Sequence, residues 1–244
     1  MISKLDPGPA PVCPGIPTHP TKECSLLDKV LRQWKERLLA PLLETPLQQV
    51  HPLAITLSGF AIGLGSGTAA AMGAYGLGLG LWLLNRVMDG LDGTLARLQR
   101  RQSDLGGYLD MLLDVVVYAA VPLGLAFHQG SLLGYAVLAL MLASFYINLC
   151  AWMYLAGLLE KRQQASDNAL ARPKDDRLTS LSMPSGLIEG SETIVFYGLF
   201  FLFPQQMVGL FGLMAVLVLF SAVQRLIWAI GCLSESSKDD NQDP

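Results

Sequence analysis

Long runs without a charged residue alternate with short polar segments along this chain. No Asp, Glu, Lys or Arg occurs in 45–85, 115–159 or 193–224. A helix that crosses the hydrocarbon core of a membrane needs about 20 apolar residues, so the first two runs can each hold most of two such helices. The pattern predicts six membrane-spanning helices, placed at 52–73, 76–98, 106–127, 132–159, 186–203 and 207–232.

The segments outside these helices divide the chain further. Residues 1–22 are rich in proline, which is typical of a flexible tail. In 23–46, leucine and other apolar residues recur at helical spacing between charged ones, and this pattern predicts an amphipathic helix on the inner membrane surface. Residues 47–233 are then expected to form the six-helix transmembrane domain, and 234–244 a polar tail.

Composition supports a membrane protein and argues against a nucleic-acid-binding protein. Of the 244 residues, 52% are hydrophobic and only 15% are charged, whereas an ordinary soluble domain has about 25% charged residues. The net charge of −3 argues against a nucleic-acid partner, which would favour a basic surface. The predicted fold class is therefore an all-α polytopic membrane protein with six transmembrane helices preceded by an amphipathic surface helix.

The loop charges predict the orientation of these helices. The links after the first, third and fifth helices carry no charged residue, whereas those after the second and fourth are basic. The basic side chains of these two links are Arg97, Arg100, Arg101, Lys161, Arg162, Arg172, Lys174 and Arg177. Because positive loops stay on the cytoplasmic side, we expect the basic links and both termini to face the cytoplasm.

Four aspartates stand out within this apolar chain. Asp89 and Asp92 lie near the end of the second helix, and Asp110 and Asp114 lie near the start of the third. Spacings of three and four residues place each pair on one helical face, and the short link makes the two helices antiparallel neighbours. Four converging carboxylates repel one another, and hard oxygen ligands suit Mg²⁺ or Mn²⁺ with substrate phosphate completing the coordination.

Roles for the aspartates that need no metal fit the sequence less well. Ion pairs with Arg86 and Arg97 would account for two carboxylates but not for four on facing surfaces. A membrane transporter with an acidic ion pathway would place polar groups throughout the membrane depth, yet the fourth and sixth helices are almost wholly apolar. A scaffold without catalytic activity would have no need of the complete set of four.

The spacing of these residues matches a known signature. The segment reads Asp89-x2-Asp92-Gly93-x2-Ala96-Arg97-x8-Gly106-x3-Asp110-x3-Asp114. It resembles the signature of the CDP-alcohol phosphotransferase (CDP-alcohol phosphatidyltransferase) family at every defined position. The six helices and the surface helix before them are similar to the fold of that family.

The resemblance implies a role for each matched residue. In the family the first three aspartates bind a pair of metal ions, Mg²⁺ or Mn²⁺, and here they are Asp89, Asp92 and Asp110. The fourth, Asp114, is implied to contact the metal site and to act as the catalytic general base. The residues implied to bind the substrate are Gly93, Ala96, Arg97, Ser103 and Gly106. Near the start of the first helix, Thr56 either approaches the nucleotide or bonds its own backbone.

The reaction implied by the resemblance belongs to phospholipid synthesis. A phosphatidyl group would pass from CDP-diacylglycerol to a small polar alcohol, and CMP would be released. The alternative within the family is transfer of a phospho-head group from a CDP-alcohol to diacylglycerol. The expected partners are the CDP-linked lipid donor, the alcohol acceptor and membrane lipids, without nucleic acid; a homodimer is a family-level expectation.

Overall fold

The computed structural model describes residues 50–99, 101–169 and 190–239. Within them the chain forms six α-helices and a short 3₁₀ turn, with no strand. The helices are α1 (Pro52–Ala71), α2 (Tyr75–Leu98), α3 (Asp104–Gln129), α4 (Leu132–Ala169), α5 (Gly190–Leu202) and α6 (Met207–Asp239). The all-α fold is thus confirmed, whereas the predicted tail at 1–22 and the amphipathic segment at 23–46 lie outside the described residues.

Four of the six helices meet the length and composition needed to cross a membrane. They are α1, α3, α4 and α6. Helix α2 is long enough but carries charged side chains in its second half, and α5 has only 13 described residues. The chain is therefore a polytopic membrane protein with six helices at the predicted places, and the count of six crossings stays a prediction.

Two helices run further than the apolar pattern predicted. Helix α4 continues ten residues past 159 to Ala169, and α6 continues to Asp239, into the predicted polar tail at 234–244. Neither extension contains proline or glycine, and lysine, arginine, glutamate and glutamine are good helix formers. The end of the apolar run therefore marks the end of the hydrophobic segment and not the end of the helix.

The described residues fall into two compact units. The first contains α1, α2, α3, α5 and the N-terminal parts of α4 and α6, and the second contains 144–169 and 217–239. In the second unit Leu155 and Leu159 pack with the partly buried Trp228. All the predicted site residues belong to the first unit.

Small residues let α1 pack closely against its two neighbours. A Cβ atom on Gly124 of α3 would collide with the carbonyl oxygen of Gly67 of α1, and one on Gly63 would overlap Val117. Small residues of this kind allow close backbone approach between membrane helices. The side-chain amide of Asn85 also donates to the carbonyl of Gly59 at 2.9 Å, so α1 fixes the position of α2.

A buried aromatic cluster joins α2, α3 and α5. The Trp82 and Tyr197 rings stack with centroids 4.8 Å apart, and Tyr118 meets Tyr197 edge-on at 5.2 Å. The Tyr197 hydroxyl donates to the backbone carbonyl of Tyr118 at 2.5 Å, which gives a buried polar atom a partner. These contacts hold the two aspartate-bearing helices in a defined register.

Candidate active site

The four predicted aspartates line one cleft between α1, α2 and α3. The cleft contains about 250 Å³ of empty space, and part of that space is open to solvent. Helix α2 contributes two of the carboxylates and α3 the other two, as the residue spacing predicted. The residues that line the cleft are Thr56, Gly59, Phe60, Asn85, Asp89, Asp92, Asp110, Leu113, Asp114 and Val117.

Asp92 is a buried carboxylate with a defined orientation. It is 4% exposed, and its Oδ2 accepts a 2.7 Å hydrogen bond from the Thr56 hydroxyl. Its Oδ1 lies 2.5 Å from the backbone N–H of Gly93. The Thr56 hydroxyl is also 3.2 Å from the carbonyl of Pro52, so Thr56 links the first turns of α1 to Asp92 and sets the orientation of that carboxylate.

Asp114 forms a bidentate ion pair with Arg86. Nη2 of Arg86 lies 2.5 Å from Oδ1 of Asp114, and Nη1 lies 2.9 Å from Oδ2. The Arg86 side chain is 6% exposed and that of Asp114 is 27% exposed. Nη1 is also 3.8 Å from Oδ2 of Asp89. The sequence pointed to Arg86 only as an alternative ion-pair partner, and its role as the partner of Asp114 was missed.

The remaining contacts of Arg86 come from residues near it on the same two helices. Nε and Nη2 donate to Oδ1 of Asn85 at 2.9 and 2.6 Å, and Nη1 donates to the Tyr118 hydroxyl at 3.0 Å. The guanidinium carbon lies 4.7 Å from the ring centroid of Trp82 and 4.9 Å from that of Tyr118. Arg86 is therefore fixed by hydrogen bonds at its edge and by aromatic rings at its faces.

The donor chemistry of the cleft fits a hard divalent cation. Its ionisable lining groups are carboxylates, with neither His nor Cys among the lining residues, and such oxygen ligands suit Mg²⁺ and Mn²⁺. In the part of the chain that the structure describes, no three His, Cys, Asp or Glu side chains are already gathered as a ready metal-binding group.

A second, larger cleft adjoins the first. It contains about 910 Å³ of empty space, part of which is open to solvent, and it shares Thr56, Asp92 and Asp110 with the carboxylate cleft. All the residues expected to bind substrate line it, namely Gly93, Ala96, Arg97, Ser103 and Gly106. Arg101 adds a second positive charge to its wall, so two guanidinium groups balance Asp92 and Asp110 in the larger cleft, whereas the smaller one is lined by four carboxylates.

Gly93 and Ser103 of this larger cleft have distinct local roles. A Cβ atom on Gly93 would meet only Nη1 of Arg97, at an ordinary contact distance of 3.7 Å. Packing within the protein therefore does not require glycine at this position. Ser103 is the N-cap of α3, because its hydroxyl accepts from the backbone N–H of Gly106 at 3.1 Å.

Comparison with known proteins identifies the family to which the sequence is similar. Residues 49–169 match the family described as CDP-alcohol phosphatidyltransferase. The inner membrane protein YnjF of Escherichia coli (strain K12) is 39% identical over 158 residues, which are 64% of this chain and 71% of that protein. A bifunctional IPC transferase and DIPP synthase of Rubrobacter xylanophilus is 35% identical over 147 residues, which cover 58% of this chain and 32% of that longer protein.

Solved structures of Mycobacterium tuberculosis phosphatidylinositol phosphate synthase (PgsA1) share the fold. The complex with manganese and citrate superposes with a TM-score of 0.55 at 20% identity, covering 79% of this chain and 85% of that one. The structure with CDP-DAG bound gives a TM-score of 0.53 at 20% identity, covering 81% and 94%. At this level of identity the similarity establishes the helical architecture.

Proposed function

Because the chain belongs to the CDP-alcohol phosphatidyltransferase family, we propose that it transfers a phosphatidyl group from CDP-diacylglycerol to a small polar alcohol and releases CMP. The observation that carries this proposal is the pair of adjoining clefts that share Asp92 and Asp110. One cleft is lined by four carboxylates and suits a metal-assisted reaction, and the other carries two guanidinium groups that suit a diphosphate. The similar fold of PgsA1, solved with CDP-DAG bound, supports the choice of donor.

The CDP part of the donor occupies the larger cleft in this proposal. The exposed guanidinium of Arg97, which donates to the Thr94 hydroxyl at 3.1 Å, holds the diphosphate oxygens, because its planar fork matches phosphate geometry. Gly93 and Ala96 present little side-chain bulk on the same wall. The diphosphate then lies beside Asp92 and Asp110, and the acyl chains extend into the surrounding lipid.

The carboxylate cleft is the proposed site of the divalent metal. Asp89, Asp92 and Asp110 would hold it, with Asp114 at the edge of the same cleft. When bound, Mg²⁺ or Mn²⁺ neutralises the negative charge of the diphosphate and of the departing CMP. The manganese in the PgsA1 complex supports this expectation of a divalent cofactor.

Asp114 is the proposed general base. The acceptor hydroxyl oxygen forms a bond to the phosphatidyl phosphorus, and its proton passes to the Asp114 carboxylate. The phosphorus–oxygen bond to CMP breaks, and CMP leaves with the electron pair. An ionised carboxylate has about four lone-pair positions, and Arg86 occupies two of them, so positions remain for the acceptor hydroxyl.

The proposed orientation places this site at the cytoplasmic surface. Arg97 and Arg101 follow the aspartates of α2, at the start of the basic link to α3, and positive links stay on the cytoplasmic side. CDP-linked donors and soluble alcohols would reach the two clefts from that side.

The test is an acceptor panel with the purified protein in lipid nanodiscs. Labelled CDP-diacylglycerol, Mg²⁺ or Mn²⁺ and one polar alcohol at a time are incubated, and CMP and the lipid product are measured. We expect equal amounts of CMP and one phospholipid with at least one acceptor. Product from CDP-choline or CDP-ethanolamine with diacylglycerol, and none from CDP-diacylglycerol, would reverse the direction of transfer. Ion flux in proteoliposomes without any CMP release would instead identify a transporter.

A further inference from the structure

His51 lines the larger cleft immediately before α1, and it is exposed there. It is the N-cap of that helix, because its Nδ1 accepts a hydrogen bond from the backbone N–H of Leu53 at 3.3 Å. A backbone N–H can only donate, so Nδ1 supplies the lone pair, and the proton of the neutral ring is on Nε2. The cap therefore leaves His51 with one N–H donor, on the side of the ring away from the capped backbone.

The backbone around His51 is fixed by two helices. Its carbonyl accepts from the N–H of Ala54 at 2.9 Å. The preceding carbonyl, that of Val50, accepts from the side-chain amide of Gln99, the C-cap residue of α2, at 3.2 Å. The imidazole is thus positioned before any ligand arrives, and a donor that is already ordered loses little entropy on binding.

The donors of the larger cleft differ in charge. Arg97 and Arg101 line the same cleft, and guanidinium groups favour the charged oxygens of phosphates. The neutral N–H of His51 suits an uncharged acceptor, and in CDP these acceptors are the ribose hydroxyls and the O2 and N3 atoms of cytosine. Thr56, the other polar side chain that α1 contributes to the cleft, donates its proton to Asp92 instead.

We propose that His51 is a specificity-determining residue, whose Nε2 donates a hydrogen bond to the nucleoside half of the CDP-linked donor. This inference rests on the proposed function for the identity of that donor. The two arginines then hold the diphosphate, and His51 holds the cytidine against the α1 wall of the cleft. The same contact exists in the donor and in the CMP product, so it contributes to binding and not to the chemical step.

The experiment measures binding of CMP in the presence of Mg²⁺, by isothermal titration calorimetry of the protein in nanodiscs. The variant H51S removes the ring N–H but keeps the cap, because serine is among the best N-cap residues. The matched control is S131A. The Ser131 hydroxyl accepts from the N–H of Gly134 at 3.0 Å at the start of α4, away from the residues that line the cleft, so S131A removes a cap without changing the nucleotide site.

We expect H51S to weaken CMP binding between about 3- and 10-fold, the net value of one neutral hydrogen bond, with an unchanged unfolding temperature. S131A should unfold at a lower temperature and bind CMP with an unchanged Kd. An unchanged Kd in H51S would overturn the proposal and leave His51 only its role as a cap. A lack of CMP binding by the unmodified protein would also overturn it.

Three further ligands locate the contact. If H51S and the unmodified protein bind 2′-deoxyCMP equally, the partner of His51 is the ribose 2′-hydroxyl. If they bind UMP equally, the partner is the base, and either result supports the proposal. An equal weakening of inorganic pyrophosphate binding by H51S would show that His51 contacts phosphate, and this would overturn it.

Steady-state kinetics separate recognition from a structural role. H51S should raise the KM for CDP-diacylglycerol between about 3- and 10-fold with kcat unchanged, because uniform binding is what the substitution removes. A lower kcat at constant KM would overturn the assignment. If H51S weakens CMP binding as expected while no acceptor allows the unmodified protein to consume CDP-diacylglycerol, the proposed function fails and the nucleoside contact stands.

Discussion

Substituting Gly93 by alanine separates the needs of the fold from those of the substrate. Gly93 lies in the interior of α2, and its added Cβ would touch only Nη1 of Arg97 at 3.7 Å. Alanine in a helix interior is favoured over glycine by about 0.5–1 kcal/mol. Because no steric clash opposes this gain, G93A should be more stable than the unmodified protein by about that amount.

The same methyl group should impair catalysis. It would project into the larger cleft, where the proposed donor meets the backbone beside Asp92. Inserting a methyl group into a close contact typically costs about 1–3 kcal/mol. Since about 1.4 kcal/mol corresponds to a factor of ten, kcat/KM for the CDP-linked donor should fall by about 5- to 150-fold.

The assay compares thermal unfolding with CMP release for two matched variants in nanodiscs. The control is G80A, because Gly80 is an exposed glycine of the same helix whose Cβ would meet nothing within 4 Å. G80A should gain stability with unchanged kcat/KM, and G93A should gain stability and lose activity. A G93A protein with normal kcat/KM would refute the proposed role of Gly93 in admitting the donor, and a destabilised one would refute the conclusion that packing does not require glycine at this position.

Three further substitutions and one metal experiment extend the tests. D114N should lower kcat for CMP release by about 10²–10⁴-fold, the usual contribution of a general base, and a smaller loss would exclude that role. T56V removes the hydroxyl that donates to Asp92 at 2.7 Å and should weaken Mn²⁺ binding by about 10-fold or more, measured by titration; unchanged affinity would show that Thr56 does not orient a ligand. G124A places a methyl group against the carbonyl of Gly67 and should destabilise the fold by about 1–3 kcal/mol, seen as a lower unfolding temperature, whereas an unchanged temperature would mean that the helices separate at little cost. Chelation with EDTA should abolish CMP release and excess Mg²⁺ or Mn²⁺ should restore it, because the carboxylates alone repel the diphosphate; activity that survives chelation would contradict a metal-dependent reaction.

The helices were predictable because charge-free runs and their polar links report directly on membrane helices. α1 and α2 begin and end within two residues of the prediction. The ends of α4 and α6 were less predictable, since a helix continues past the apolar run wherever the following residues tolerate helical geometry. Hydropathy reports on the environment of a helix and does not report on where its hydrogen bonding stops.

The aspartate cleft was predictable from spacing, but its internal pairing was not. Residue spacing fixes which side chains share a face of α2 or of α3, and the short link makes these helices neighbours. The Arg86–Asp114 contact joins residues 28 positions apart and depends on the register between the helices. The sequence did offer a signal, because Arg86 and Asp89 share one face of α2, and Asp114 and Tyr118 share one face of α3, each pair at helical spacing.

Thr56 illustrates the same limit. Its hydroxyl lies within hydrogen-bond distance of its own helix and of Asp92, 36 residues away. The sequence favoured neither a backbone bond nor a site contact, because both are chemically satisfactory for threonine. Only the packing of α1 against α2 brings the second partner within reach.

The most direct test of a catalytic carboxylate cleft is an anomalous-scattering map of crystals soaked in Mn²⁺ and CMP. We predict anomalous peaks in the cleft between α2 and α3, within about 2.0–2.6 Å of oxygens of Asp89, Asp92 and Asp110. CMP should lie beside them in the larger cleft, against Gly93 and Arg97. Manganese bound only elsewhere on the protein, in crystals that contain CMP, would contradict the assignment of this cleft as the catalytic centre.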